Sequence, residues 1–212
     1  MSLPSLTLVT PWLDHMELAD DYWKAVAHAG PGVQVLVVDN GSVPPLPNAH
    51  RLGHNAGFSR ACNVGLELAR TDAVVFLNND IAATAANWAQ PLRDALEEAV
   101  LVGAQLRNDP HAWVDGQPLP YLDGWCVGGM RADLIELGGF DESLEEPAYY
   151  GDNLLCLEAR AAGMSLREVR VGLRHKLNVT AGHGERVTAA TLANRERYEV
   201  RARQLLSGLV AA

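Results

Sequence analysis

The sequence predicts an α/β fold, a single layered domain whose mostly parallel central sheet is flanked by helices. Three observations carry this expectation. Apolar runs of strand length alternate with stretches of helical period through the first half of the chain. The runs are continuous rather than alternating, as strands covered on both faces are. The 212 residues, 48% hydrophobic and 20% charged, suffice for one large core and do not read as a disordered chain.

The elements follow in order. "LTLV" (6–9) is a short strand ended by Thr10-Pro11, and 15–29 has helical spacing through Met16, Leu18, Ala19, Trp23 and Val26, closed by Gly30-Pro31. "VQVLVVDNGS" (33–42) is a buried strand running into turn residues, followed by a proline-rich loop at 43–47. A helix is expected over 56–70, a strand at "AVVFL" (73–77), a helix over 85–99 and a strand at "LVGAQL" (101–106). From residue 107 the chain reads as irregular, with Pro110, Pro118, Pro120, Gly116 and Gly124 around Trp113 and Trp125. Beyond it come a short helix at 131–137, an acidic loop, a helix at 153–162 capped by Gly163, and an amphipathic, arginine-rich helix over 185–207.

Composition narrows the function. A formal charge of −9 disfavours a nucleic-acid partner. Cys62, Cys126 and Cys156 are odd in number and widely spaced, which points to free thiols rather than a zinc site or disulfide framework. No apolar run is long enough to span a bilayer, and no secretory leader pattern opens the chain. The expectation is a cytoplasmic protein, soluble or peripheral at the inner face of the membrane.

Open parallel sheets bind ligands beyond the carboxyl ends of their strands. Three predicted strands end in polar groups: Thr10-Pro11, Asp39-Asn40-Gly41-Ser42 and Asn78-Asn79-Asp80. Each has a plainer reading. The second is good turn chemistry, the third can cap the next helix, and Asn55-Ala56-Gly57 can be a helix entry. If the three strands are neighbours, their ends converge on one crevice.

"VVDNGS", "NAGFSRACNVGLELA", "VVFLNND", "GGFDESL" and "YYGDNLLCLEARAAG", in this order and at these separations, resemble a family 2 glycosyltransferase of the GT-A fold. The resemblance runs from about Leu6 to about Arg201. It implies an inverting hexosyltransferase-type enzyme that moves a sugar from a UDP-, dTDP- or GDP-sugar to a hydroxyl of a saccharide, lipid or small molecule, in polysaccharide or glycoconjugate biosynthesis. It implies a single GT-A-like domain with a nucleotide-binding half (1–106), an acceptor and catalytic half (107–184) and a C-terminal helix (185–212).

The resemblance also assigns roles. Asn78-Asn79-Asp80 stands where the family holds Mg²⁺ or Mn²⁺ against the donor diphosphate, with Asn78 replacing one carboxylate, Asp80 as the metal ligand and Asn79 at the donor. Thr10, Pro11 and Asp39 would form the base pocket, and Asn55, Arg60 and Asn63 fall where the family approaches the nucleotide. Asp152 matches the general base, although Gly151 and Leu154 replace two acidic residues of that motif. Its plainer role is to cap the helix starting at Asn153, and that of Arg60 is a solvated helix cation. His175, with Thr180 five residues on, matches a histidine that contacts metal or diphosphate; a surface histidine is the alternative, and His183 is a second candidate. The aromatics Trp113, Tyr121, Trp125, Tyr149 and Tyr150 suit stacking on an acceptor or packing. Two other classes stay open, a non-catalytic nucleotide-sugar binder and a sugar nucleotidyltransferase. The latter lacks its usual glycine-rich basic segment in "TPWLDHMELADD".

Overall fold

The computed structural model describes residues 3–147, 149–176 and 184–210. Thr180 and His183 lie outside them. In chain order the first half holds β1 (Leu6–Trp12), α1 (Ala19–Ala27), β2 (Val33–Asp39), β3 (His50–Arg51), α2 (Phe58–Leu68), β4 (Ala73–Leu77), β5 (Ile81–Ala83), α3 (Gln90–Ala95) and β6 (Val100–Gly103). The second holds β7 (Leu106–Arg107), β8 (Trp113–Val114), β9 (Gln117–Pro118), β10 (Tyr121–Leu122), β11 (Cys126–Met130), α4 (Arg131–Glu136), α5 (Gly151–Ala161), β12 (Ser165–Glu168), β13 (Leu173–His175) and α6 (Glu185–Val210).

Seven strands form the central sheet in the order β12-β6-β11-β4-β1-β2-β3. All its pairs are parallel except those of β11, which runs antiparallel to both β4 and β6. The mostly parallel α/β layering expected from the sequence is therefore present. The pleat of the strands sorts the core: Ala73, Val75 and Leu77 of β4 face a cluster with Trp12, Tyr22 and Trp88, while Val74 and Phe76 face one with Cys62, Leu134 and Phe140. A third cluster, with Tyr150, Leu154 and Tyr198, joins α5 to α6. The three cysteines are buried free thiols. Among the described residues no helix is long and apolar enough to cross a membrane.

Four expectations are corrected. The helix over 85–99 shrinks to α3, because Pro91 has no N–H and its ring would clash with a preceding helical turn, so helix can start only at its doorstep. The strand at 101–106 ends at Gly103, and Leu106 instead pairs with Leu122 in a separate two-stranded ribbon. The strand at 33–42 ends at Asp39, and only its last three residues, Val37 to Asp39, are buried, while Gln34 and Val35 are exposed.

The fourth correction is the largest, since the irregular stretch hides a central strand. β11, "CVGGM", carries too little apolar bulk to read as a strand, yet its glycines are what admit it. A Cβ at Gly128 would stand 2.1 Å from the carbonyl oxygen of Val74 and 2.6 Å from Val75 Cα. Gly128→Ala is therefore expected to lower unfolding free energy by about 3 kcal/mol, the upper range for overpacking between elements that cannot move apart. Urea titration checks this, and a midpoint equal to that of the wild type would mean that β4 and β11 are not locked together.

Candidate active site

The carboxyl ends of β1, β2 and β4 lie side by side, since Trp12 is in register with Asp39 and Val9 with Phe76. β11 runs the other way, so its leading residues Gly124 and Trp125 reach the same edge, and Asn78 N–H donates to the Trp125 carbonyl at 2.9 Å. Above this edge opens a cleft of about 850 Å³ whose wall includes Pro11, Asn40, Asn55, Asn79, Asp80, Asp152 and His175.

At one end sit Asp80 and His175. Asp80 is 1% exposed, and its backbone carbonyl accepts from Lys176 N–H at 2.8 Å, while His175 lies opposite Ile81 in the β5–β13 ladder. His175 Nε2 approaches Asp80 Oδ1 to 3.0 Å, yet Oδ1 has no hydrogen-bond partner and neither has the buried His175 Nδ1. Adjacent ligands at right angles on a cation with bonds near 2.1 Å are also about 3.0 Å apart, so the two side chains fit a shared divalent ion. Among the described residues no third His, Cys, Asp or Glu joins them, so further ligands to such an ion would have to come from a bound molecule or water. A metal-bound histidine commonly has its second nitrogen tied to an oxygen. Here the ring is fixed instead by Trp125, stacked on it at 5.1 Å with the planes 7° apart.

The second carboxylate is Asp152, in the first turn of α5. The helix starts at Gly151 with Tyr150 at its N-cap position, so Asp152 is not the capping residue. Its Oδ2 accepts from Gly124 N–H at 2.9 Å and its Oδ1 from Asn153 N–H at 3.0 Å. Burial, and after it the charge of Asp123, pushes its carboxyl up to about 6 against the pull of those hydrogen bonds. Asp123 is itself paired with Arg107 at 2.8 Å. Leu154, where the resemblance expects an acid, is buried in the α5–α6 cluster and takes no group away from the cleft.

The other expected residues divide. Pro11, Asn55 and Asn79 line the cleft. Thr10 is fully buried and accepts from the Tyr22 hydroxyl at 2.8 Å, behind the wall. Asp39 is also fully buried, accepting from Ser42 N–H at 2.8 Å, from Leu46 N–H at 3.1 Å and from the Arg51 guanidinium. Burial pushes its pKa up, but these hydrogen bonds outweigh it and hold the carboxyl below the usual range. Asn40 faces the cleft in its stead, bonded to Asn55 Oδ1 at 3.0 Å, Gly57 O at 3.1 Å and Ala56 N–H at 2.8 Å. Arg60 is half-exposed and pairs with Glu67 at 3.0 Å and Glu142 at 3.3 Å. Asn63 braces α2 against the acidic loop through the backbone N–H and carbonyl of Phe140, at 2.9 and 2.8 Å.

Sequence reasoning missed Asn40, Arg107, Asp109, His111, Asp123 and Glu146, all on the cleft wall. Asp123-Gly124 was a readable turn signal. Glu146 was not readable: its Oε1 accepts the Phe58 N–H that opens α2, at 2.8 Å and 88 positions away, and Gly57, at φ +91°, leaves room for it.

No protein-family model and no curated protein matches the sequence. Solved structures do match the fold. The mannosyltransferase PcManGT from Pyrobaculum calidifontis, in complex with GDP-Man and Mn²⁺, superposes with a TM-score of 0.66 and 15% identity, over 100% of this chain and 76% of that one. GalNAc-T7 with UDP, GalNAc and Mn²⁺ gives 0.68 and 15%, over 93% and 48%. TarS of S. aureus gives 0.56 and 14%, over 84% and 37%. This chain thus spans about three quarters of the first and about half of the second. At these identities the likeness establishes the fold, which is the GT-A type expected from the sequence.

A carboxyl group with a raised folded-state pKa costs stability as pH climbs from its unfolded value, near 4, to the folded value near 6. Asp152→Asn removes that cost. Relative to the variant, wild type should lose on the order of 2 kcal/mol between pH 4.5 and 7.5 in urea titrations. A difference that does not change with pH would show that Asp152 titrates as an ordinary carboxylate.

Proposed function

We propose that this chain transfers a sugar from a nucleotide diphosphate sugar to an acceptor hydroxyl, with inversion at the anomeric carbon. The observation that carries the reading is the pairing, across one cleft, of an unpartnered buried carboxylate beside a histidine with a second carboxylate of raised pKa. Support also comes from the fold, which the solved glycosyltransferases share while holding GDP-Man or UDP together with Mn²⁺.

In this reading residues 1–106 supply the nucleotide side of the cleft and 107–184 the acceptor side, with Pro11, Asn40 and Asn55 against the base and Asn79 toward the diphosphate. Asp39, Thr10 and Asn63 hold that wall from behind. Asp80 and His175 are the protein's ligands for Mg²⁺ or Mn²⁺, which, when bound, neutralises charge on the departing nucleoside diphosphate. Asp152 accepts the proton of the acceptor hydroxyl as its oxygen forms the bond to the anomeric carbon and the sugar–phosphate bond breaks. A pKa near 6 suits that task, because the group is ionised at pH 7 and still holds a proton better than an ordinary carboxylate.

Two measurements check the reading. Calorimetry with UDP and with GDP should show one of them binding at least about tenfold more tightly with Mn²⁺ than with chelator, and His175→Ala should remove only the metal-dependent part. Equal affinities with and without metal would take Asp80 and His175 out of that role. In a nucleotide-release assay over a panel of donor sugars, Asp152→Asn should slow transfer by roughly two to four orders of magnitude at unchanged donor affinity. The wild-type rate should fall as pH drops through about 6, where the base takes up its proton. Wild-type-like transfer by the variant would end the assignment.

A further inference from the structure

We propose that the acceptor is a neutral or amine-bearing oligosaccharide, one of whose outer sugars lies on the face of Trp113; this rests on the transferase reading above. Charge decides the first part. Among the described residues the cleft wall carries six carboxylates, Asp14, Asp80, Asp109, Asp123, Glu146 and Asp152, against two guanidinium groups, Arg107 and Arg186. Arg107 is already engaged by Asp123 at 2.8 Å and Asp109 at 4.0 Å. The negative field around Asp152 is felt by its neighbours: the Tyr121 hydroxyl is pushed far above its ordinary value by burial and then by Asp152, Asp109 and Asp123. A phosphate- or carboxylate-bearing acceptor would bring like charge into this wall, whereas sugar hydroxyls and ammonium groups donate to carboxylates.

Shape decides the second part. Asp109 borders both the main cleft and a neighbouring hollow of about 380 Å³, whose other walls are Asn108, Pro110, Trp113 and Arg195. A ligand leaving Asp152 past Asp109 therefore arrives at Trp113. Trp113 is 44% exposed on an anchored hairpin. Its neighbour Val114 is buried against the α5–α6 cluster, and the hairpin turn is tied to α6 by Arg203 and Asp115 at 2.7 Å. Asp109 is fixed too, accepting from His111 N–H at 3.0 Å and from the Tyr121 hydroxyl at 3.3 Å. An anchored aromatic face ringed by an amide, a carboxylate and a guanidinium matches a pyranose, with its apolar C–H face and a rim of hydroxyls. Among the described residues that line the cleft and the hollow, the exposed large apolar side chains are the aromatics Trp113 and Tyr149.

A printed array of neutral, amino, sialylated and phosphorylated glycans, probed in the presence of UDP or GDP with Mn²⁺, tests the proposal, with polyprenyl phosphate vesicles as a separate arm. Wild type should retain neutral or amine-bearing glycans of two or more sugars. Trp113→Ala should weaken their retention at least about tenfold, and Trp113→Tyr should restore most of it, with nucleotide affinity unchanged by calorimetry. Retention of sialylated or phosphorylated glycans, preference for the vesicles, or equal retention by Trp113→Ala would overturn it. So would the absence of any retained glycan from a protein that binds nucleotide. A wild type that binds no nucleotide would instead bring down the transferase reading.

Discussion

The insertion of β11 between β4 and β6 is the constraint on which the site depends. Its pairing sets Cys126 opposite Leu77, which carries Trp125 and Gly124 past the end of β4 to the cleft floor. From there one peptide segment reaches both ends of the site. The Trp125 carbonyl holds Asn78 N–H and its ring holds His175, while Gly124 N–H holds Asp152. The strand can occupy this slot only because Gly128 has no side chain against Val74. Packing inside the sheet and the spacing of the two carboxylates are thus one mechanical problem.

Buried amides brace the remaining walls. Asn63 on α2 holds Phe140 from one side, and Asn194 on α6 holds the other end of the acidic loop through Glu145 N–H at 2.7 Å, Glu145 O at 2.9 Å and Tyr149 O at 3.1 Å. Asn40 does the same for the turn before α2. Each satisfies backbone groups that would cost about 1–3 kcal/mol if buried unpaired. An amide does so without adding charge to a cleft already crowded with carboxylates. Asp39 braces its turn as a carboxylate instead, and its charge is offset by Arg51. Phe58, Phe76 and Phe140, stacked edge to face at 5.0 and 5.5 Å, close the floor between them.

Much of the fold was legible because its signals are local. Continuous apolar runs predicted β2, β4 and the first part of β1, helical spacing predicted α1, α2, α5 and α6, and polar strand ends pointed to the edge where the cleft opens. The errors were local rules overruled by something near or far. Pro91 cut α3 short within its own turn. β11 was hidden because its glycines answer to Val74, more than fifty positions back, and not to their neighbours.

For the site, the sequence by itself determined which chemical groups are present and singled out Asp80, His175 and Asp152 as candidates. Only the tertiary structure decided which side chains face the cleft. Asp39 and Asn40 are adjacent and both polar, yet the strand pleat turns the first inward to Arg51 and the second outward to the cleft. Trp113 and Trp125 look alike in an irregular stretch, but one stands exposed on a hairpin and the other lies buried against His175. Orientation and charge environment depend on partners tens of residues away, and periodicity, which compares near neighbours only, carries no record of them.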